Sequence, residues 1–140
     1  MSDRASAAVD LDALTAEARA ARGRAYAPYS RFPVGAAVAT DAGVFSGANV
    51  ENASYGLSIC AERVAAASAI AAGARRMEAV AITSTAPGVT PPCGACRQFL
   101  YEFNPDMLVV SESATGQRKE WQLSELLLDG FGPSDLAGQP

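Results

Sequence analysis

Apolar residues recur at helical spacing through "LDALTAEARAARGRAYA", with Leu11, Leu14, Ala18 and Ala25 roughly on one face. That period predicts a helix over about residues 10–26, ended by Pro28. The pattern then changes to two short β-prone runs, "VGAAVAT" and "VFSGANV", joined by "DAG", where Asp41 and Gly43 supply turn chemistry. These read as a hairpin whose second strand delivers Asn49 and Glu51 to its end. "ICAERVAAASAIAA" predicts a buried helix from Ile59 to Ala72, closed by Gly73, and "MEAVAITS" follows as an apolar, β-branched strand. Beyond the loop "TAPGVTPP" a further helix is expected from about Cys93 to Phe103. "MLVVSES" then reads as a strand, "GQRKEWQ" as an edge strand and "LSELLL" as a short helix. Strands alternating with helices predict a sheet with helices packed on its faces, an α/β layered fold.

Neither a linker, an internal repeat nor a low-complexity block divides the pattern, so one domain over residues 1–140 is expected. With 49% hydrophobic residues the chain can bury a substantial core. A net charge of −4 and a pI near 4.7, with 11 scattered Lys and Arg, give no basic field for a phosphate backbone, so no nucleic-acid partner is expected. The opening stretch carries acids early and has no apolar signal-like core, and no run of about 18 apolar residues occurs, so no membrane partner is expected. A cytoplasmic protein follows from this reading. In that reducing compartment three cysteines are better read as metal-binding or catalytic than as a disulfide framework.

The chain has no histidine, which removes His-based acid/base catalysis and mixed Cys/His zinc sites. Its cysteines are Cys60 and the C-x-x-C pair Cys93 and Cys96. Pro92 suits the first turn of a helix, where its missing N–H costs nothing, so Cys93 and Cys96 are expected on that helix's opening turns. Ser58 is the expected N-cap of the preceding helix, with Cys60 in its first turn and Glu62 two residues on. The partial positive charge of two helix N-termini would then favour thiolate, the form that ligates metal. Closed structural zinc sites use four protein ligands, whereas catalytic ones use three and keep a position for water; this chain has no fourth Cys or His. Three thiolates leave the ion with a net negative charge, and Arg63 and Arg97 are expected to hydrogen-bond the sulfurs and offset it. Two other classes stay open on these residues. One is a redox dithiol at Cys93 and Cys96, which leaves Cys60 and Glu62 idle; the other is an inactive zinc-stabilised domain whose shell is closed by a carboxylate.

"CAE" at 60–62 followed by "PCGAC" at 92–96 resembles the zinc nucleoside deaminase signature H-x-E…P-C-x-x-C, with cysteine in place of the histidine. With "FPVGAAV" at 32–38, "GANVENASYGLSICAER" at 47–63 and "DGFGPSDL" at 129–136, the chain resembles the small homotetrameric cytidine deaminases over about residues 26–136. The resemblance implies a three-layer α-β-α sandwich around a mixed five-stranded sheet, with one zinc per subunit on Cys60, Cys93 and Cys96. It implies hydrolytic deamination of cytidine and 2′-deoxycytidine to uridine and 2′-deoxyuridine plus ammonia, in pyrimidine salvage. Glu62 would be the proton shuttle. Asn49 and Glu51 resemble the family's sugar-binding pair, and residues two apart on an extended segment point the same way, with an amide and a carboxylate suited to hydroxyl groups. Phe32 would pack against the pyrimidine, and the backbone N–H of Ala61 would bond the base O2. Ala53, Tyr55 and Phe131 match positions that the family supplies to a neighbouring subunit's site. A deaminase for another aminopyrimidine nucleoside, of the blasticidin type, is the runner-up, and "NVENASYG" stands against it.

Overall fold

The computed structural model describes residues 9–136; residues 1–8 and 137–140 of the expected single domain lie outside them. In chain order the elements are α1 (Leu11–Arg22), β1 (Val34–Thr40), β2 (Gly43–Ala48), α2 (Ala61–Ala71), β3 (Met77–Ser84), α3 (Gly94–Tyr101), β4 (Leu108–Glu112), β5 (Arg118–Gln122) and α4 (Leu123–Leu126). Short 3-10 turns occupy Tyr55–Leu57 and Pro133–Asp135. The five strands form one mixed sheet in the order β2-β1-β3-β4-β5, parallel only between β3 and β4.

Side-chain alternation along the strands builds a core on each face. Ala36, Val38, Val80, Ile82 and Val109 face α2 and α3, meeting Ala65, Ala69 and Leu100. Ala37, Ala79, Ala81 and Val110 face the other way and pack on Leu14 and Ala18 of α1. The result is the α-β-α sandwich that the resemblance implied. Central β3 is buried on both faces, which is why "MEAVAITS" reads as continuously apolar rather than alternating. Edge strand β5 presents Arg118, Lys119 and Glu120 to solvent, charges that protect an open edge.

Three helices differ in their bounds from the sequence expectation, and at α1 and α2 backbone pairing takes residues that the periodicity would have left in a helix. Helix α1, N-capped by Asp10, which accepts the Ala13 N–H at 3.1 Å, stops at Arg22, short of residue 26. Tyr26 has left it to donate its N–H to the Asn49 carbonyl at 3.0 Å and to accept from Glu51 N at 2.8 Å. Helix α2 is capped by Cys60, not Ser58. Val50 and Ile59 exchange both backbone hydrogen bonds at 2.9 Å, which keeps the chain extended through Ile59, and the Ser58 hydroxyl accepts from Asn52 N instead. Helix α3 likewise begins after Cys93 as its cap, with Pro92 just outside, and ends at Tyr101.

The layers approach so closely at two glycines that no side chain fits. A Cβ on Gly35 of β1 would lie 2.0 Å from the Ala18 carbonyl oxygen and 2.6 Å from Arg22 N, both backbone atoms of α1. A Cβ on Gly47 of β2 would lie 2.6 Å from Ala65 N of α2. Gly35→Ala should therefore force α1 off the sheet and lower the melting temperature by on the order of 10 °C, as overpacking of about 1–3 kcal/mol or more implies. Gly88→Ala, where nothing lies within 4 Å, should leave it unchanged; thermal unfolding followed by circular dichroism reads both.

Candidate active site

Cys60 and Cys93, each the N-cap of a helix, and Cys96, one turn into α3, converge so that their sulfurs all lie within 4.8 Å of one another. The Cys60 and Cys93 sulfurs are 3.7 Å apart, and those of Cys93 and Cys96 3.6 Å. All three are free thiols. Three thiolates at about 2.3 Å from a tetrahedral zinc would sit about 3.8 Å from each other, so the cluster fits that ion without rearrangement. No His or fourth Cys is available to close the shell. The Cys96 thiol, then Arg63 and Cys93, hold the Cys60 thiol down at about 5, and the same contact with Cys60, together with burial, pushes the Cys96 thiol up.

The two arginines beside the cysteines have different tasks. Arg63 reaches back along the first turn of α2 and brings Nη2 to 3.7 Å from the Cys60 sulfur. Its Nε is buried without a hydrogen-bond partner among the described residues. Arg97, expected at a sulfur as well, donates Nε to the Pro92 carbonyl at 2.8 Å and Nη1 to the Leu126 carbonyl at 2.9 Å. It is one residue past Cys96 on the helix, about 100° around, and so aims away from the cluster and ties the start of α3 to α4.

Beside the thiols opens a pocket of about 230 Å³ at the carboxyl end of β3. It is lined by Cys60, Ala61, Glu62 and Cys93, by Phe32, Val34 and Asn49, by Thr90 and Pro91, and by Ser30 and Glu51. Glu62 is only 4% exposed, and among the described residues only its own backbone N–H bonds its carboxyl. Burial, with a smaller contribution from the Cys60 charge, pushes it up to about 7. The Ala61 N–H, in the first turn of α2, has no acceptor among the described residues.

Asn49 and Glu51 leave the end of β2 and hold the loop that carries Phe32. Asn49 donates Nδ2 to the Phe32 carbonyl at 2.9 Å and accepts the Val34 N–H on Oδ1 at 2.9 Å. Glu51 Oε1 accepts the N–H groups of Tyr29 and Ser30 at 2.9 and 3.1 Å, while Oε2 accepts the Ser30 hydroxyl. That hydroxyl, then the two backbone donors, holds the Glu51 carboxyl below its ordinary range. Phe32 is 37% exposed and is a wall rather than core. Ala53, Tyr55 and Phe131 do not line this pocket. Tyr55, 73% exposed, borders a neighbouring depression with Tyr29 and Ser58, and Phe131 is pinned through its backbone by Gln98.

Sequence reasoning did not single out Ser30, Val34, Thr90 or Pro91. Ser30 lies in "YSRF" two residues before Phe32, and Thr90 and Pro91 immediately precede "PC". Their nearness to residues that were singled out is the only local signal. Thr90 is locked from behind: the Ser111 hydroxyl donates to its carbonyl at 2.8 Å and accepts its N–H at 3.1 Å, and the hydroxyls of Thr90 and Ser84 pair at 2.8 Å.

Residues 9–112 match the family model described as the cytidine and deoxycytidylate deaminase zinc-binding region. The chain is 45% identical over 130 residues to a cytidine deaminase of Halalkalibacterium halodurans, covering 91% of this chain and 98% of that protein. It is 41% identical over 131 residues to one from Sporosarcina psychrophila, covering 92% and 96% respectively. The crystal structure of a cytidine deaminase from Burkholderia pseudomallei superposes with a TM-score of 0.84 at 48% identity, covering 88% of this chain and all (100%) of that one.

Replacing any of Cys60, Cys93 or Cys96 by Ala should release the metal, because two thiolates cannot hold the ion as three do. Zinc per chain, measured by atomic absorption after dialysis, should fall from about one to well under half. Full retention by one variant would remove that cysteine from the ligand set.

Proposed function

The chain belongs to the cytidine and deoxycytidylate deaminase family, and on that footing we propose that it hydrolyses cytidine and 2′-deoxycytidine to uridine and 2′-deoxyuridine with release of ammonia. The observation that carries this reading is a buried carboxyl, Glu62, facing the same pocket as Cys60 and Cys93, two of the three clustered thiols.

When bound by Cys60, Cys93 and Cys96, zinc would supply Lewis acidity, making water a competent nucleophile near neutral pH. Glu62 does the proton work. It accepts a proton from the attacking water as the new C–O bond forms at C4, and passes it to N3 of the pyrimidine. It then carries the second proton from that oxygen to the amino group, and the C4–N bond breaks to release ammonia. One water is consumed, its oxygen stays on C4, and its two protons end on N3 and on the departing amine. A carboxyl that changes protonation near neutrality suits both halves of this task.

The other pocket residues orient the nucleoside. Phe32 packs on the pyrimidine face, and the unclaimed Ala61 N–H bonds the base O2. Asn49 has one N–H and one acceptor position left after holding the loop, and Glu51 one acceptor position on Oε2. That remaining capacity matches a sugar hydroxyl that donates to the carboxylate and accepts from the amide. Binding energy from the sugar then supports chemistry at the base, so free cytosine is a poor substrate.

Arg63 offsets the negative charge of the ligand set, and Arg97 stabilises the loop at Cys93. The enzyme works as a homotetramer in which Ala53, Tyr55 and Phe131 complete a neighbour's site. Apolar side chains left in solvent at Tyr55, Leu128 (81% exposed) and Phe131 (57%) support that assembly. A free nucleoside substrate and three reduced thiols fit pyrimidine salvage in the cytoplasm. The whole length, residues 1–140, acts as one catalytic domain.

Ammonia release from cytidine, 2′-deoxycytidine and cytosine, by the parent and by zinc-replete Glu62→Gln, tests the proposal. Both nucleosides should be deaminated and cytosine far more slowly. Glu62→Gln should keep zinc and lose about 10⁴-fold in turnover, the upper range for a positioned acid/base. A variant within tenfold of the parent would sink the role of Glu62, and comparable turnover of cytosine would sink that of the sugar pair. Sedimentation velocity should show the active protein as a tetramer; a fully active monomer would refute shared sites.

A further inference from the structure

The segment from Tyr29 to Pro33 carries no regular structure, yet every backbone N–H on it has a fixed partner. Its hub is one hydroxyl. Ser30 Oγ donates to Glu51 Oε2 and accepts the Phe32 N–H at 3.0 Å. The Ser30 N–H itself donates to Glu51 Oε1 at 3.1 Å. Between the two bonded residues, Arg31 has a φ of 57°, the only positive value outside glycine among the described residues. This left-handed residue turns the chain back so that the Phe32 N–H meets the Ser30 hydroxyl. A non-glycine residue holds that conformation only where its surroundings impose it. From the far side the Phe32 carbonyl is held by Asn49.

We infer that Ser30 is a positioning residue for nucleoside binding: its hydroxyl ties the Glu51 carboxylate to the backbone of Phe32, so the sugar-facing acid and the aromatic wall move as one unit. The inference rests on the function proposed above and adds a residue to it. Ser30 contributes no core contact, since Tyr29, Ser30 and Arg31 are all exposed. Its single proton is spent on Glu51 and one lone pair on Phe32, which leaves it little to offer a substrate. What it controls is which acceptor position of Glu51 remains free and where the Phe32 ring stands over the pocket. Glu62 and the thiols make no hydrogen bond to this loop, so the chemical step is not its province.

Steady-state kinetics on cytidine should separate this role from a structural one. Ser30→Ala should raise KM about tenfold, the loss expected for a hydrogen bond to a charged group, with kcat within threefold of the parent. Zinc content and melting temperature should be unchanged. Ser30→Thr, which keeps the hydroxyl, should return KM to within threefold. In a Glu51→Ala background the hydroxyl has lost its anchor, so adding Ser30→Ala should cost less than twofold more. A KM within twofold of the parent for Ser30→Ala, a kcat loss as large as the KM rise, or an equal penalty in both backgrounds would overturn the inference alone. A zinc-replete parent that released no ammonia from cytidine would overturn the proposed function and this inference with it.

Discussion

Three sulfurs confined within 4.8 Å of one another repel as they ionise, and the surrounding architecture is arranged around tolerating that charge. Two of the three, Cys60 and Cys93, are helix N-caps, where the unpaired N–H groups of the first turn present partial positive charge. Arg63 adds a full positive charge 3.7 Å from Cys60. A dication completes the balance, and the spacing of the sulfurs fits zinc. Glu62, two residues from Cys60, is the buried one of the two carboxylates that line the pocket. Its protonation near neutrality follows from burial beside this negative cluster.

Bringing two helix starts to one point is the work of the sheet. Parallel β3 and β4 require a crossover, and α3 supplies it, so its N-terminus lies at the carboxyl end of β3, the usual place for ligands in α/β sheets. Val34, opening β1, pairs with Ser84 at that same end and becomes part of the wall. Helix α2 is drawn onto β2 at Gly47, where only a backbone without a side chain permits the approach. The Val50–Ile59 bridge then keeps the chain extended until Cys60, which places the thiol on the cap and not inside the helix.

The pocket walls are loops, and side-chain hydrogen bonds give them the definition that a sheet gives its strands. Asn49, Glu51 and Ser30 hold the Phe32 segment from one side of the pocket. Ser111 and Ser84, buried on neighbouring strands, hold Thr90 on the other. Arg97 fixes Pro92 and with it the approach to Cys93. Residues proposed to bind the nucleoside thus also build the surface it would bind to, and their remaining hydrogen-bonding capacity is what is left for specificity.

The sequence by itself determined the layered α/β class, the hairpin around Asp41 and Gly43, and the site's chemical identity. Period-2 and period-3.6 patterns are local, and a chain with three cysteines and no histidine admits few metal shells. Tertiary structure alone decided where helices stop. Tyr26, Val50 and Ile59 pair across the fold, and Ser58 lost its capping role to pairing that no local propensity encodes. The two arginines make the same point. Each sits beside a key residue in the sequence, but only Arg63 curls onto a sulfur, because direction around a helix depends on where that helix begins. Ser30, Thr90 and Ser111 stayed invisible for a related reason: a hydroxyl acquires its role from partners far along the chain, and serine and threonine have no preferred partner until the fold provides one.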